Sequence, residues 1–570
     1  MTNTHDITTL DCDVLVIGAG AAGMSAAITA RLAGLNVLIV EKASQFGGTM
    51  ARSGGWIWIP GSPQAQTAGH ADSVEDALTY LRHEAGESFN APLAESFLRN
   101  GPRMLKLFEE KTSVQMEWGP AFPDYHPGAP GGRPGGRSLH PAALDARLLG
   151  ERLRDLSPPL RELSLAGIVI GSGTDLKHFF NVTRSWRSAV FVVCKLLSHA
   201  WDVLRFGRGM TLVNGNALAA RLGKSVFDLG IPVRLGCAAS ALTKQDGRVS
   251  GAILEEAVGS LQVHARKGVV LACGGFPHDV ARRVSLYRHR AGLEEHFPLA
   301  PPGNTGDGLR MAQALGARAV TGFSDAAAWT PVSRVRWPDG TKGLYPHFVD
   351  RGKPGVIAVT GQGVRFVNES DSYHDFIRGF VARHAVEPDP KMFFVCDHRA
   401  IRLYGLGIVK PFPFPFGFWL RSGYLLRGNT LRELAERAGI DAPALERTVT
   451  QFNDAARLGE DPVFQRGSTV YNHFQGDANH KPNPCLAPLT SAPYYAVRIL
   501  PGDIGTFAGL ITDAHARVLG HDDAPVPGLY AAGNDMASVM GGNYPGGGIT
   551  LGPAMVFGYV AAMHMASSGE

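Results

Sequence analysis

Cysteine is scarce in this chain and is never paired in sequence. Six cysteines are scattered over 570 residues without a C-x-x-C spacing. This pattern is typical of small buried residues in a reducing compartment, and it argues against both a disulfide framework and a zinc site. No cluster of metal-ligating residues is visible, so we expect no metal ion.

Long apolar runs and a surplus of one charge are also missing. No uninterrupted apolar segment reaches the ~18 residues of a membrane span. The N-terminus, MTNTHDITTLDCD, is polar and acidic, unlike a secretory signal. A net charge of +4 without a basic stripe argues against nucleic acid as a partner. We expect a cytoplasmic protein, either soluble or in peripheral contact with a membrane.

Glycine, in contrast, is abundant, and its most informative cluster follows the first apolar run. The segment DCDVLVIGAGAAGMSAAITARLAGLNVLIVEKA has Gly18, Gly20 and Gly23 in G-x-G-x-x-G spacing between a strand-like and a helix-like segment. A second apolar run ends at Glu41. Such glycines allow a tight turn, the approach of a pyrophosphate and close packing of helix on strand, and the acidic residue binds ribose hydroxyls. The segment predicts a dinucleotide site.

Four further segments indicate which dinucleotide binds. EKASQFGGTMARSGG, KGVVLACGGF, NTGDG and GLYAAGNDM combine apolar runs or turns with small residues. Together they resemble the flavoprotein family of succinate dehydrogenase and fumarate reductase subunits, roughly over residues 11–315 and 494–562. The resemblance implies non-covalently bound FAD, contacted by Gly18, Gly20, Ala22, Gly23, Glu41, Lys42, Gly48, Thr49, Ser53, Gly54, Gly55, Ala272, Gly274, Asp307, Gly533, Asn534, Gly548, Ile549 and Leu551.

Flavin-domain segments at both ends of the chain predict its organisation. A length of 570 residues exceeds that of a single core. We expect an α/β fold in which a Rossmann-like FAD-binding domain, residues 1–330 and 491–570, carries an inserted α+β catalytic domain, residues 331–490. In the insert, GNTLRELAERAGIDAPALERTV predicts a structural helix pair with Asp441 as the N-cap of the second helix.

Two apolar stretches each have two interpretations. Residues 186–204 form a helical pattern that either packs on the domain or serves as a lid or membrane-surface helix. Residues 409–426, VKPFPFPFGFWLRSGYLL, cannot span a bilayer because of their prolines and Lys410, and they either line an apolar channel or cover a core. The apolar face of the first stretch contains Trp186, Ala189, Val190, Val193, Leu197, Trp201 and Leu204.

One aromatic hydroxyl lies within the C-terminal glycine cluster, MGGNYPGGGITLGPA. The helical pattern starts at Ile549, so Gly546–Gly548 would present free N–H groups at a helix start. Tyr544 precedes Gly548 by four residues, so its hydroxyl and the Gly548 N–H can converge on one acceptor. Two such donors polarise a carbonyl and stabilise its enolate. The alternative is that Tyr544 is an aromatic residue packed at a turn.

Two further segments favour the first interpretation. EWGPAFPDYHPGAPGGRPGGRSL carries Tyr125, and GVRFVNESDSYHDF carries Tyr373. The PDY-x-P-x-x-PGGRP-x-GR loop, NES-x-x-Y and YPGGG together resemble bacterial 3-ketosteroid Δ1-dehydrogenases. The resemblance implies that Tyr544 and the Gly548 N–H bind the C3 ketone. It also implies that Tyr373 takes the C2 proton with help from Tyr125, while flavin N5 receives the C1 hydride.

The competing functions differ mainly in the substrate. A fumarate reductase or succinate dehydrogenase is expected to carry histidine and arginine where this chain has ASVMGGNYPGGG. A 3-ketosteroid Δ4-(5α)-dehydrogenase is a nearer alternative, and a flavin-bearing electron carrier or a lipid-binding protein is a more distant one. We expect a 3-ketosteroid, or a sterol such as cholest-4-en-3-one, as substrate and a quinone or other external electron acceptor as partner. His126 and His374, next to the predicted tyrosines, are interpreted as exposed loop residues.

Overall fold

The computed structural model describes residues 8–568, except for 166, 172–177, 179–181, 183–184, 258 and 385–390. The strands are β1 (Thr8–Ile17), β2 (Val37–Glu41), β3 (Ile57–Trp58), β4 (Met116–Trp118), β5 (Ser138–Pro141), β6 (Leu144–Asp145), β7 (Ser164–Leu165), β8 (Ile168–Val169), β9 (Thr211–Leu212), β10 (Val233–Leu235), β11 (Ala238–Gln245), β12 (Arg248–Glu256), β13 (Gly259–Leu271), β14 (Ala327–Arg336), β15 (Lys342–Pro346), β16 (Val356–Thr360), β17 (Met392–Asp397), β18 (Leu426–Gly428), β19 (Tyr494–Thr506), β20 (Arg517–Leu519) and β21 (Pro525–Ala531).

The α-helices of the described residues are numbered in the same way. They are α1 (Ala21–Leu32), α2 (Pro63–Thr67), α3 (Val74–Ala85), α4 (Ala91–Lys111), α5 (Trp186–Phe206), α6 (Asn214–Asp228), α7 (Val280–Leu286), α8 (Asp307–Gln313), α9 (Tyr373–His384), α10 (His398–Tyr404), α11 (Gly417–Arg421), α12 (Leu431–Ala438), α13 (Ala442–Leu458), α14 (Val470–Gln475) and α15 (Leu551–Ser567).

The first sheet joins the two ends of the chain. Its strand order is β10-β2-β1-β13-β12-β11, with β21 beside the C-terminal half of β13 and β20 beside β21. Strands β10, β2, β1, β13 and β21 are mutually parallel, and the apolar run Val14–Ile17 at its centre is buried. Parallel strands covered on both faces require such continuous apolar runs. The predicted Rossmann-like α/β fold is confirmed.

The C-terminal helix completes this layer by packing against the first helix. The Ser25 hydroxyl on α1 donates a hydrogen bond of 2.6 Å to the Met555 carbonyl on α15. A Cβ atom added at Gly558 would lie 2.4 Å from the Ala22 carbonyl oxygen, so the two helix backbones touch there. The first sheet and its covering helices are therefore built from both ends of the chain.

The second sheet is antiparallel and has the order β15-β14-β19-β17-β16, with β18 beside β19. Helices α12 and α13 pack on it through Leu434, Leu445 and Val449. The predicted N-cap is confirmed, because an Asp441 carboxylate oxygen accepts a hydrogen bond of 2.8 Å from the Ala444 N–H.

This sheet extends beyond the predicted insert at both of its ends. It begins at Ala327 and ends at Thr506, whereas the insert was expected to span residues 331–490. The central strand β19 lies wholly outside that range. It nevertheless belongs to this sheet, since it pairs with β14 and β17. The division into domains remains a prediction.

Helix α5 presents its apolar face to solvent. Trp186, Leu197 and Leu204 are 73%, 66% and 82% exposed, and only Ser188 and Val192 of this helix are buried. The interpretation that this face packs on the domain is therefore wrong. Among the described residues, no helix combines the length and the apolar character needed to cross a bilayer.

The proline- and phenylalanine-rich segment is anchored at its ends and exposed at its tip. Val409 and Leu425 are buried, whereas Phe412 and Phe414 are exposed. The short helix α11 lies between the tip and the buried end at Leu425. The ends of the segment cover core residues, as one of the two interpretations expected.

Candidate active site

A cavity of about 510 Å³ opens at the carboxyl ends of the parallel strands. Its wall combines the first turn, the end of β2, the turn after β13 and the start of α15. The predicted cofactor residues that line it are Gly18, Gly20, Ala22, Glu41, Lys42, Gly48, Thr49, Ala272, Gly274, Asp307, Gly533, Asn534 and Leu551.

The glycines of the first turn differ in what surrounds them. A Cβ atom at Gly18, where φ is +113°, would lie 2.2 Å from the Ala272 carbonyl oxygen, and one at Gly23 would lie 1.9 Å from the Gly18 carbonyl oxygen. At Gly20 a Cβ atom would meet nothing within 4 Å and would project into the cavity. The turn is therefore tight on its protein side and open on its ligand side, as a pyrophosphate requires.

Charged residues surround the other end of the cavity. One carboxylate oxygen of Glu41 accepts a hydrogen bond of 2.8 Å from the Ala19 N–H, which holds the side chain at the end of β2. Lys42 forms an ion pair with Asp307 and donates a hydrogen bond of 3.0 Å to the Thr305 hydroxyl. A fixed acid beside a glycine turn, with a cation next to it, fits an adenine dinucleotide.

Asp535 is a positioning residue that the sequence prediction missed. This buried carboxylate accepts hydrogen bonds from the N–H groups of Cys273 (2.6 Å) and Gly275 (3.0 Å). It thereby ties the turn after β13 to the turn after β21. Its position after the small residues of GLYAAGND was a signal that could have identified it.

Six predicted cofactor residues lie outside this cavity. Ile549 lines a narrower cavity next to it, together with Gly533, Asn534 and Thr550. Ser53 supports α6, because its carbonyl oxygen accepts a hydrogen bond of 3.0 Å from the Gly215 N–H. The residues that line neither cavity are Gly23, Ser53, Gly54, Gly55 and Gly548.

The three predicted tyrosines lie together although they are far apart in the sequence. The Tyr125 hydroxyl donates a hydrogen bond of 3.2 Å to the Tyr373 hydroxyl. The ring centroid of Tyr544 lies 5.3 Å from that of Tyr125 and 5.1 Å from that of Tyr373. All three side chains are buried. The structure thus brings three phenols into one cluster, which we call the tyrosine cluster.

Hydrogen bonds join the Tyr125 loop to the Tyr544 loop. The Pro545 carbonyl oxygen accepts a hydrogen bond of 2.8 Å from the Tyr125 N–H and one of 2.6 Å from the Tyr80 hydroxyl. The Ser138 hydroxyl donates a hydrogen bond of 2.9 Å to the Gly547 carbonyl oxygen. The two glycine-rich segments therefore hold each other in place.

A buried ion pair fixes the same loop from within. Arg137 donates a hydrogen bond of 2.8 Å to Asp124 and two to Asp72, of 2.8 and 2.9 Å. Asp124 also accepts a hydrogen bond of 2.8 Å from the Trp58 indole N–H. Burial raises the pKa of Asp124 to about 6, although its ion pair with Arg137 acts in the opposite direction. The PDY and GGR portions of the loop are thus held by a satisfied polar network.

Gly548 adopts a conformation that a side chain would prevent. Its φ is +100°, and a Cβ atom there would lie 2.6 Å from backbone atoms of Ile57. Within the described parts of the chain, the Gly548 N–H has no hydrogen-bond acceptor. Helix α15 begins at Leu551, two residues later than the start predicted at Ile549, so Gly548 lies in the turn before the helix.

The environment of the tyrosine cluster keeps its phenols protonated at neutral pH. Burial raises the pKa of Tyr125 and of Tyr373 well above their usual value of 10.0. Burial also raises the pKa of Tyr544 to about 12. At neutral pH, the cluster therefore offers hydrogen-bond donors to any group that enters it.

A fourth tyrosine and an arginine complete the cluster, and sequence reasoning missed both. The ring centroid of Tyr471 lies 4.7 Å from that of Tyr125. Arg351 is fully buried and donates hydrogen bonds to the carbonyl oxygens of Glu369 (2.6 Å) and Asp371, just before Tyr373. Burial raises the pKa of Tyr471 to about 12, and the charge of Arg351 opposes this effect. Neither residue lies in a sequence motif that would have indicated a functional role.

The two histidines next to the tyrosines are not simply exposed loop residues. His374 is buried, and its Nδ1 accepts a hydrogen bond of 3.1 Å from the Trp329 N–H. The His126 side chain is 38% exposed but contacts Glu84 at 2.7 Å and Asp375 at 3.0 Å. The interpretation as exposed loop residues is therefore wrong for His374 and incomplete for His126. Because Asp375 lies in the first turn of α9, two residues after Tyr373, His126 connects two of the tyrosine-bearing segments.

A glycine-lined dinucleotide cavity and a buried cluster of phenols together define a flavin-dependent oxidoreductase. Comparisons with known proteins agree with this class. Residues 13–551 match the FAD binding domain family. The chain is 42% identical to 4-oxocyclohex-2-ene-1-carboxylate 5-dehydrogenase of Sinomonas cyclohexanicum, over 98% of this chain and 94% of that protein. It is 37% identical to 3-oxosteroid 1-dehydrogenase of Mycobacterium tuberculosis, over 98% of this chain and 99% of that protein.

A solved structure extends the likeness to three dimensions. The crystal structure of 3-ketosteroid Δ1-dehydrogenase from Sterolibacterium denitrificans, in complex with 1,4-androstadiene-3,17-dione, matches with a TM-score of 0.90 at 35% identity. The match covers 98% of this chain and 100% of that chain. The chain belongs to the family of FAD-dependent dehydrogenases that includes the 3-oxosteroid 1-dehydrogenases. FAD is its cofactor, as the sequence predicted.

Proposed function

We propose that this enzyme introduces a double bond between C1 and C2 of 3-ketosteroids. The observation that carries the proposal is the convergence of Tyr125, Tyr373 and Tyr544 in one buried cluster. The Tyr544 ring centroid lies 6.1 Å from that of Phe507, which lines the narrower cavity next to the FAD-binding cavity. Relatives of the same length that share this fold are named as 3-oxosteroid 1-dehydrogenases.

In this proposal, Tyr544 and Gly548 hold the C3 ketone oxygen. Tyr544 is a protonated donor at neutral pH because burial raises its pKa to about 12. The Gly548 N–H has no hydrogen-bond acceptor within the described parts of the chain, so it is available without rearrangement. Donors already aimed at a carbonyl oxygen stabilise the enolate that forms when the neighbouring carbon loses a proton.

Tyr373 takes the proton from C2, and Tyr125 supports it. The hydrogen bond between their hydroxyls stabilises negative charge on the Tyr373 oxygen when that oxygen is deprotonated. Since burial raises the pKa of Tyr373, only a small fraction is deprotonated at neutral pH, and the reaction depends on the ketone being acidified by its two donors. Bound FAD would accept the hydride from C1.

A second candidate substrate is 4-oxocyclohexanecarboxylate or the corresponding enone, 4-oxocyclohex-2-ene-1-carboxylate. This class is favoured by the relative at 42% identity, which is named for 4-oxocyclohex-2-ene-1-carboxylate. The same residues would act in the same way, because both substrates present a cyclic ketone with hydrogen on the adjacent carbons. A Δ4-(5α)-dehydrogenation differs in the carbons oxidised and would place the new double bond elsewhere in the ring.

Anaerobic mixing of the FAD-loaded enzyme with individual ketones separates these candidates. Androst-4-ene-3,17-dione, cholest-4-en-3-one, 5α-androstane-3,17-dione and 4-oxocyclohexanecarboxylate are tested in turn, with succinate as a control. We expect rapid loss of flavin absorbance with the steroids and a 1,2-unsaturated product by NMR. Reduction by the cyclohexane carboxylate alone would transfer the assignment to the second candidate, and reduction by succinate alone would contradict both.

We also propose that an external acceptor, a quinone or another small oxidant, removes the electrons. The described residues show no group of three or more metal-ligating side chains that would serve as a further redox centre. Comparison of re-oxidation rates with a soluble quinone, a dye and dioxygen tests this proposal. Peripheral contact with a membrane is also a proposal, and the exposed helix α5 supports it.

A further inference from the structure

Helix α5 is amphipathic in the opposite sense to a helix that covers a core. Ser188, His199 and Asp202 contact the protein, while most of its large apolar side chains face solvent. Among the described residues, nine exposed large apolar side chains lie on this one helix. They are Trp186, Val190, Val193, Leu196, Leu197, Trp201, Val203, Leu204 and Phe206.

Specific contacts hold these three polar side chains toward the protein. The Ser188 hydroxyl lies 3.1 Å from Nδ1 of His178, and an Asp202 carboxylate oxygen accepts a hydrogen bond of 3.0 Å from the Met210 N–H. The His199 ring lies against Gly209, where a Cβ atom would come within 2.6 Å of it. These contacts set the rotation of α5, so its apolar face is held outward.

The segment that carries α5 is attached next to the cofactor-binding unit. The Asn214 side chain donates a hydrogen bond of 2.9 Å to the Ile170 carbonyl oxygen, which brings the two ends of the segment together. The next residue, Gly215, donates from its N–H to the Ser53 carbonyl oxygen at 3.0 Å. The helix therefore projects from a base beside the loop that contains Ser53–Gly55.

We propose that α5 docks this enzyme on an anionic lipid bilayer. Its apolar face would enter the boundary between head groups and acyl chains, as amphipathic surface helices do. Residues 186–208 contain four basic side chains, Arg187, Lys195, Arg205 and Arg208, and one acidic side chain, Asp202, which is engaged by Met210. Basic flanks of this kind are attracted to anionic head groups. Trp186 and Trp201 supply the amphipathic rings that favour the interface.

The charge distribution favours a bilayer over a second copy of the chain. In a twofold pairing the same patch lies on both partners, so the exposed Arg187 and Arg205 of each copy would approach those of the other. A lipid surface supplies the opposite charge instead. The proposal does not depend on which ketone is oxidised, although a steroid that dissolves in lipid would be taken up where the enzyme docks.

Vesicle flotation of the FAD-loaded full chain tests this proposal. Vesicles of phosphatidylcholine alone are compared with vesicles that also contain phosphatidylglycerol. We expect the wild type to float with the anionic vesicles, and Leu197→Glu combined with Leu204→Glu to reduce the bound fraction by about tenfold or more. Matched controls are Leu293→Glu and Leu458→Glu, because each of these leucines is 73% exposed elsewhere on the protein. Unchanged flavin content and unchanged reduction by a water-soluble ketone show that the variants are folded.

Three results would overturn the proposal. The first is a wild type that floats with neither kind of vesicle. The second is a control variant that loses as much binding as the α5 variant. The third is a wild-type dimer, measured by light scattering, that Leu197→Glu converts to monomer without any change in flotation, which would assign the face to a second copy.

Discussion

The FAD cavity and the tyrosine cluster are built in different ways. The cavity is lined largely by backbone and small residues, and its shape depends on turns such as that at Gly18, where a side chain would collide with Ala272. The tyrosine cluster consists of side chains from loops and helices up to several hundred residues apart, held by Pro545, Arg137 and Arg351. Added bulk at a glycine of the cavity should therefore block the cofactor, whereas loss of one hydroxyl from the tyrosine cluster should leave the surrounding structure intact.

This difference separates binding of the cofactor from chemistry on the ketone. A change at the cavity should remove FAD and with it all activity. A change at the tyrosine cluster should leave FAD in place and alter only the rate. Variants of the two regions test whether they are independent in this way.

The largest effect is expected for Gly20→Val. The backbone of Gly20 is extended, with φ of −89° and ψ of −168°, and a Cβ atom there meets nothing within 4 Å, so the chain should fold. The new side chain would fill the space of the pyrophosphate, and the protein should be purified without flavin and without activity. The flavin absorbance of the purified protein and its thermal unfolding measure this.

Gly322→Val serves as the control for this variant. Gly322 is exposed and also has open space around its Cβ position, but it lies outside the cavity. It should retain full flavin content. A Gly20→Val protein that binds FAD stoichiometrically would show that the turn does not hold the pyrophosphate.

Tyr373→Phe should retain FAD and lose most turnover, by about 10²- to 10⁴-fold, which is typical of a lost general base. Because burial raises the pKa of Tyr373, the rate of flavin reduction in the wild type should also rise with pH, and this dependence should disappear in the variant. Stopped-flow measurement of flavin reduction gives both results. Tyr287→Phe, which changes another buried tyrosine outside the cluster, should change the rate little. Near-normal turnover of Tyr373→Phe would contradict the assignment of the base.

Tyr544→Phe should reduce kcat by about 10²- to 10³-fold, as expected for one lost oxyanion donor. The Gly548 N–H would still hold the ketone, so binding should weaken less than the rate falls. Steady-state kinetics and flavin content measure this. A wild-type kcat in this variant would remove Tyr544 from the site.

The smallest effect is expected at His126, which joins the Tyr125 loop to α9. Burial alone would lower the pKa of His126, but its contacts with Asp375 and Glu84 outweigh this effect and raise the pKa from 6.5 to about 11. The stabilisation is therefore complete below pH 6.5, the value of the unfolded chain, and is lost as the pH rises through about 11. Since the side chain is 38% exposed, solvent screening limits the contribution to about 1 kcal/mol.

His126→Asn isolates this contribution. Its free energy of unfolding, measured with urea at several pH values, should differ from that of the wild type at pH 6.5 and approach it toward about pH 11. Flavin content should not change. A difference that is independent of pH would mean that the ion pairs do not stabilise the fold.

The same contrast explains what the sequence could predict. The strand, turn, helix and acid around Gly18 and Glu41 are contiguous, so local spacing was enough to predict a dinucleotide site there, whereas FAD and most of its other contacts were implied by a family resemblance. The tyrosine cluster required a family resemblance, because no local pattern brings Tyr125 next to Tyr373. Tyr471 and Arg351 were missed because their role depends only on tertiary neighbours.

Two further features were outside the reach of pattern reasoning. The periodicity of α5 showed an apolar face but not the direction in which it points, because that direction depends on contacts such as Asp202 with Met210. The second sheet begins before the predicted insert and ends after it. Local patterns could not show this, since the pairing of β19 with β14 and β17 joins segments far apart in the sequence.

The contact between α1 and α15 has a consequence for how the enzyme is made in the cell. The side of the first helix that packs on α15 is covered only when Met555 and Gly558, close to the end of the chain, have left the ribosome. The carboxylate of Asp535, which ties two turns of the cavity wall together, also emerges late. Flavin loading must therefore follow synthesis of nearly the whole polypeptide, and truncated translation products should be colourless.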